Sequence, residues 1–226
     1  MANQLDLEEQ EQLDQLKAFW KHYGNLITWA LIAVLGAFAA WNFYQRWQSS
    51  QATQASALFD ELDRVVKSGD VGKVDRVFAD IKDKFPSTTF AQQGALVAAK
   101  AYFEAGKTAQ AQGALSWVVE NSSDEGYKAI SRLRLSAVLM NDKAYDEALK
   151  QLGGAFPPEY SALVADRKGD VFMLQGKKTE ARAEFEKAYK AFDERVEYKR
   201  LVEVKLNALG VDPKSMLAPA PAEVKK

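Results

Sequence analysis

No fixed charge falls between Lys21 and Arg46, and only His22 in that interval titrates near neutral pH. The core of this stretch, residues 25–45, reads NLITWALIAVLGAFAAWNFYQ. A helix of about 20 mainly apolar residues crosses the ~30 Å hydrocarbon layer of a bilayer. In lipid every backbone N–H and C=O needs an internal partner, so such a segment has to be one continuous helix. Leu26, Trp29, Leu31, Val34, Phe38, Trp41 and Tyr44 are its expected anchor residues. Amphipathic aromatic rings collect at bilayer interfaces. Trp20 and Tyr23 stand before the span, and Trp41, Tyr44 and Trp47 stand at its far end. Two rival readings are a buried core helix and a cleaved signal peptide. Ala37-Phe38-Ala39 fits a cleavage pattern, yet apolar residues continue beyond it and the leader is long and acidic. The segment therefore reads as an uncleaved single-pass anchor in contact with membrane lipid.

Orientation follows basic residues near the ends of a span. Lys17 and Lys21 precede it and Arg46 follows, which favours an N-terminus inside and a C-terminal part outside the cytoplasm. The leader up to Gly24 carries five acids against two bases, and the rest carries 28 bases against 26 acids. That balance gives no electrostatic reason to expect a nucleic-acid partner. The absence of cysteine removes disulfides, thiolate metal sites and thiol nucleophiles.

The expected organisation is a cytoplasmic acidic leader helix (1–24), the transmembrane helix (25–45), a linker (46–54), a helical-repeat domain (55–210) and a disordered Pro/Ala-rich tail (211–226). In the leader, Asp6 and Glu9 suit a capping box, and Leu13, Leu16, Trp20 and Tyr23 share one helical face. Gly24 suits a helix stop. The leader is either a solvated prelude to the anchor or a helix that docks on a partner.

Beyond Gln48 apolar residues recur at three and four, with breaks that divide the region into paired helices. The last pair holds the clearest register, with Gly169, Gly176, Ala181, Phe185 and Ala188. Earlier pairs carry Gly106, Ala111, Leu115 and Val118, then Ser136, Tyr145, Ala148, Leu152 and Ala155. The successive intervals between the markers Val74, Ala111, Ala148 and Ala181 are 37, 37 and 33. This resembles the tetratricopeptide repeat, a helix–turn–helix unit of about 34 residues. The fold class is all-α: one N-terminal transmembrane helix, then an α-solenoid of about four helix pairs and a capping helix. Arg200, Glu203 and Lys205 suit the polar outer face of that cap.

No catalytic constellation, phosphate loop or cofactor site is expected. Asp166 and Asp170 lie one turn apart, but Arg167 and Lys168 interleave with them as on an ordinary mixed-charge surface. In solenoids the first helix of each pair lines the concave face. Val66, Phe103, Met140 and Met173, with Leu96 and Leu133 two turns earlier, form an apolar line there. They are either a groove for apolar client segments or packing between helices.

The residues Glu11 to Asn25 (EQLDQLKAFWKHYGN), Ala40 to Trp47 (AWNFYQRW), Ser131 to Leu139 (SRLRLSAVL) and Ala165 to Arg182 carry a resemblance to the YfgM family. That family is the ancillary subunit of the SecYEG translocon. The resemblance extends to Leu209 and implies a type II bacterial inner-membrane protein with a periplasmic repeat domain. It implies partners in the translocon, in a membrane-anchored prolyl-isomerase-type chaperone, and in exported client polypeptides handed to periplasmic chaperones. A second role that the resemblance implies is restraint of an envelope-stress phosphorelay; a rival reading is a scaffold for another envelope machine.

Overall fold

The computed structural model describes residues 7–213, with side chains from residue 10 onward, and all the regular structure among them is helical. The chain divides into two compact units, residues 1–53 and 54–226. Helix α1 (Leu7–Ser68) begins in the first. Gly24 does not stop it: the glycine is buried inside the helix, with Trp20 ring atoms 3.1–3.2 Å from where a Cβ would stand. Gly24 thus makes room for an indole one turn earlier. The proposed Asp6 cap lies outside the described residues. Thr28 Oγ1 donates to the Gly24 carbonyl (2.7 Å) and Asn42 Nδ2 to that of Phe38 (3.0 Å), so these polar side chains are satisfied within the helix. Among the described residues this is the one helix long and apolar enough to cross a membrane. The seven anchor residues are 52–68% exposed, which sets the segment apart from a core helix. Residues 46–54, expected as a linker, are helical.

The second unit begins with the end of α1 and continues through α2 (Val71–Lys84), α3 (Thr89–Glu104), α4 (Thr108–Asn121) and α5 (Glu125–Asn141). It proceeds with α6 (Tyr145–Leu152), α7 (Ser161–Leu174), α8 (Lys178–Ala191) and α9 (Tyr198–Ala208). Each pair closes through a residue with positive φ: Gly69 (72°), Gly106 (72°), Lys143 (61°) and Gly176 (75°). Their spacings of 37, 37 and 33 match those of the marker residues, all of which are buried. The last three turns share one hydrogen-bond pattern. Lys107 N–H donates to Tyr102 O, Ala144 N–H to Leu139 O and Lys177 N–H to Phe172 O, at 2.8–2.9 Å. This is the left-handed C-terminal closure that favours glycine. Lys143 reaches the same geometry without it.

Two helical glycines set the closest approaches between helices. Gly94 on α3 lets Leu62 and Ile81 converge, their methyls 3.3 and 3.6 Å from a Cβ position. Gly169 on α7 takes the Phe185 ring of α8 so closely that even Cζ would lie 2.9 Å from a Cβ. One core cluster runs from Leu62 to Val171; a second unites Ala165, Ala181, Phe185 and Ala188 with Val202, Leu206 and Val211.

Three expectations are corrected. Ala155 is exposed in the loop after α6, because Gly153-Gly154 and then Pro157-Pro158 end that helix early. Val211, assigned to the tail, is buried, and its N–H bonds Leu206 O at 3.0 Å. The outward face of α9 is not uniformly polar. Leu201 and Val204 are exposed there beside Arg200, while Lys205 turns inward.

Candidate functional site

The first helices of the second and third pairs, α3 and α5, diverge over a cleft of about 290 Å³. Leu96, Ala99 and Phe103 line one wall, Arg134, Ala137 and Val138 the other, and Leu115 of α4 closes the floor. Small side chains at 99 and 137 leave the space open, whereas the close approach at Gly169, two repeats on from Ala99, is filled by Phe185. The bottom is dry: Leu96, Ala99, Leu115 and Val138 are buried. Phe103 is 39% exposed, a large apolar ring held at the mouth by the rigid closure of α3 at Gly106. Lys100 and Arg134 bring two cations to the rim, and Lys100 lies 3.7 Å from Glu104.

The expected apolar line is thus only partly one surface. Leu96 and Phe103 share this cleft. Val66 lines a smaller one of about 220 Å³ with Val71, Val74 and Ala101. Leu133 and Met140 are half-buried against the main core, and Met173 is 38% exposed on α7. None of these last three lines either cleft. Arg134 escaped sequence reasoning, although it lies in the SRLRLSAVL stretch. The signal was its register: at the same distance before the turn residue of its pair, it repeats at Arg167.

The pair Asp166 and Asp170 is no surface patch. Asp166 is 1% exposed. Lys205 of α9 reaches both carboxylates at 2.7 Å, Tyr198 OH donates to Asp166 Oδ2 at 2.8 Å, and the Lys205 ammonium lies 5.1 Å over the Phe185 ring. Burial pushes the Asp170 carboxyl above its ordinary range, against the lowering effect of its bond to Lys205. Burial, together with the bond to Asp166, also raises the Tyr198 phenol. These groups are engaged with one another, and the arrangement fastens α9 onto the last pair.

An apolar N-terminal helix followed by stacked helix pairs with a repeated left-handed turn defines a tetratricopeptide-like repeat protein. The family described as "Tetratricopeptide repeat-like domain" matches residues 17–211, the end of the leader and the anchor included. Three curated relatives bear the name "Ancillary SecYEG translocon subunit". That of Haemophilus influenzae is 30% identical over 205 residues, that of Neisseria gonorrhoeae 29% over 204, and that of Escherichia coli 27% over 206. Each alignment covers 90% of this chain and 97–98% of the relative. The chain belongs to this tetratricopeptide repeat-like family, which includes the ancillary SecYEG translocon subunits.

Proposed function

We propose that the chain is a non-enzymatic ancillary subunit of the SecYEG translocon in the bacterial inner membrane. Its N-terminus is cytoplasmic and its repeat domain periplasmic, in keeping with Lys17 and Lys21 before the span. There it binds apolar segments of exported chains and passes them to periplasmic chaperones, a membrane-anchored prolyl-isomerase type among them. The names of the relatives support the translocon. The observation that carries the binding role is the open cleft with Phe103 at its mouth, since a rigid aromatic beside a dry floor is the usual anchor of a binding surface.

Site-specific photocrosslinking tests this reading. A probe at Phe38 in the span is expected to capture translocon subunits. A probe at Phe103 is expected to capture a secretory chain stalled in export and, once it is released, a periplasmic chaperone. Capture of an outer-membrane assembly complex from position 38, with no translocon subunit, refutes the placement. Loss of the repeat domain to protease added outside spheroplasts supports the orientation, and its survival there overturns it.

A further inference from the structure

The rim of the α3–α5 cleft carries an unused charge. Arg134 lines the cleft, is exposed, and has no ion-pair or hydrogen-bond partner among the described residues. Its counterpart one repeat on, Arg167, lies 4.0 Å from Asp170. Lys100 stands on the facing wall with only a long, exposed approach to Glu104. A guanidinium offers a planar fork of donors that suits a carboxylate. Here two cations border an apolar floor whose size lies at the small end of ligand clefts, ~300 Å³. That volume suits one or two side chains of a segment and falls short of a whole helix.

We infer that this cleft selects a short extended segment in which an apolar side chain stands next to a carboxylate, a deepening that rests on the client-binding reading above. The apolar side chain enters between Phe103 and Val138, and the carboxylate meets Arg134, with Lys100 opposite. The carboxylate belongs to an acidic side chain of the segment. The same charges reject a segment that places a cation beside the apolar residue, so selection works by repulsion as well as attraction.

The test uses the full chain in phosphatidylcholine nanodiscs, with fluorescein-labelled peptides read by anisotropy. Four nonapeptides share a Leu-x-Leu centre in a Gly/Ser background. Three are C-terminally amidated with x as Glu, Gln or Lys; the fourth has x as Gln, no charged side chain, and ends in Leu with a free carboxylate. The Glu peptide binds roughly tenfold tighter than the Gln peptide, the lower end for a charge-assisted hydrogen bond at a half-open site. Tight binding of the free-carboxylate peptide with no gain for the Glu peptide overturns the choice of an acidic side chain. Arg134→Gln abolishes the preference and leaves the Gln peptide unchanged, and Arg134→Lys keeps part of it. Equal binding of the acidic and Gln peptides, or a preference that survives Arg134→Gln, overturns the inference. Phe103→Ser separates it from the reading beneath: weaker binding of the Gln peptide in that variant leaves the groove standing without its charge selection. No effect of Phe103→Ser on any peptide removes both.

Discussion

Three helical glycines, Gly113, Gly94 and Gly169, measure how closely the helices approach. In each, alanine gains roughly 1 kcal/mol of helix propensity. At Gly113 in α4 a Cβ meets nothing within 4 Å, so Gly113→Ala should stabilise by about 1 kcal/mol. At Gly94 the nearest atom is a Leu62 methyl at 3.3 Å, which can give by a few tenths of an ångström; the gain and the crowding should nearly cancel. At Gly169 the added methyl falls among three atoms of the Phe185 ring. That ring is fully buried and lies beneath Lys205, so it has nowhere to swing. Overpacking of this kind costs ~1–3 kcal/mol, and three ring atoms argue for the upper end. The net effect of Gly169→Ala is then a loss of about 2 kcal/mol, or ~4–8 °C in Tm for a domain of this size. Urea denaturation of the full chain in detergent, followed by circular dichroism, reads all three variants. Adding Phe185→Leu to Gly169→Ala should recover part of the loss as a non-additive coupling. A Gly169→Ala protein as stable as Gly113→Ala would refute the close approach, and with it the reason for glycine in this register.

Lys143→Gly should raise stability by roughly 0.5–1 kcal/mol, since the left-handed geometry that strains lysine suits glycine, less the entropy that glycine adds to the unfolded chain. Gly106→Ala should lower stability by about as much, and equal thermal midpoints for the two variants would contradict a shared turn. Lys205→Met leaves buried Asp166 beside half-buried Asp170 with only Tyr198 OH and Arg167 near, and should cost about 3–5 kcal/mol at pH 7. The Asp170 carboxyl is already raised in the fold, so folding takes up a proton just above the ordinary carboxylate range, and this group favours the unfolded chain as pH rises through that window. Removing the lysine that opposes the shift widens the window upward. The deficit at pH 5 should therefore be smaller than at pH 7, and a pH-independent deficit would contradict the assignment. Phe103→Asp should leave the domain folded with under about 1 kcal/mol lost while weakening client crosslinks, whereas Leu115→Asp on the cleft floor should unfold it by burying an unpaired charge.

The repeat register was legible because it is written in residues whose reasons are local. Val74, Ala111, Ala148 and Ala181 occupy one position of each second helix, and each is buried there. The long apolar N-terminal helix was legible from its uncharged, apolar run and its flanking aromatic rings. The α3–α5 cleft was less so, because a cleft arises where side chains are small. Ala99 and Ala137 look like ordinary helix formers, and only the packing of α3 against α5 turns them into space. The Asp166 site was illegible for a different reason. Asp166 and Asp170 sit beside Arg167 and Lys168, a local pattern that mimics a solvated face. The partner that buries Asp166 is Lys205, 39 residues away in sequence.

The same register also places α9. Gly210 closes α9 with the bond pattern of the earlier turns, one repeat length after Gly176, so α9 stands in the place of a further first helix. Two helical turns before each turn residue, the four paired helices carry Leu62, Ala99, Ser136 and Gly169, all buried. The fifth carries Glu203, half-buried. A second helix laid over α9 as α8 lies over α7 would take that carboxylate out of water, which is costly unless a cation is buried with it. Lys205, two positions on, fills the place of buried Val171 and spends its charge backward on Asp166 and Asp170. One helix therefore both seals the last core and disfavours a successor, through two charged side chains on opposite sides of the same turn.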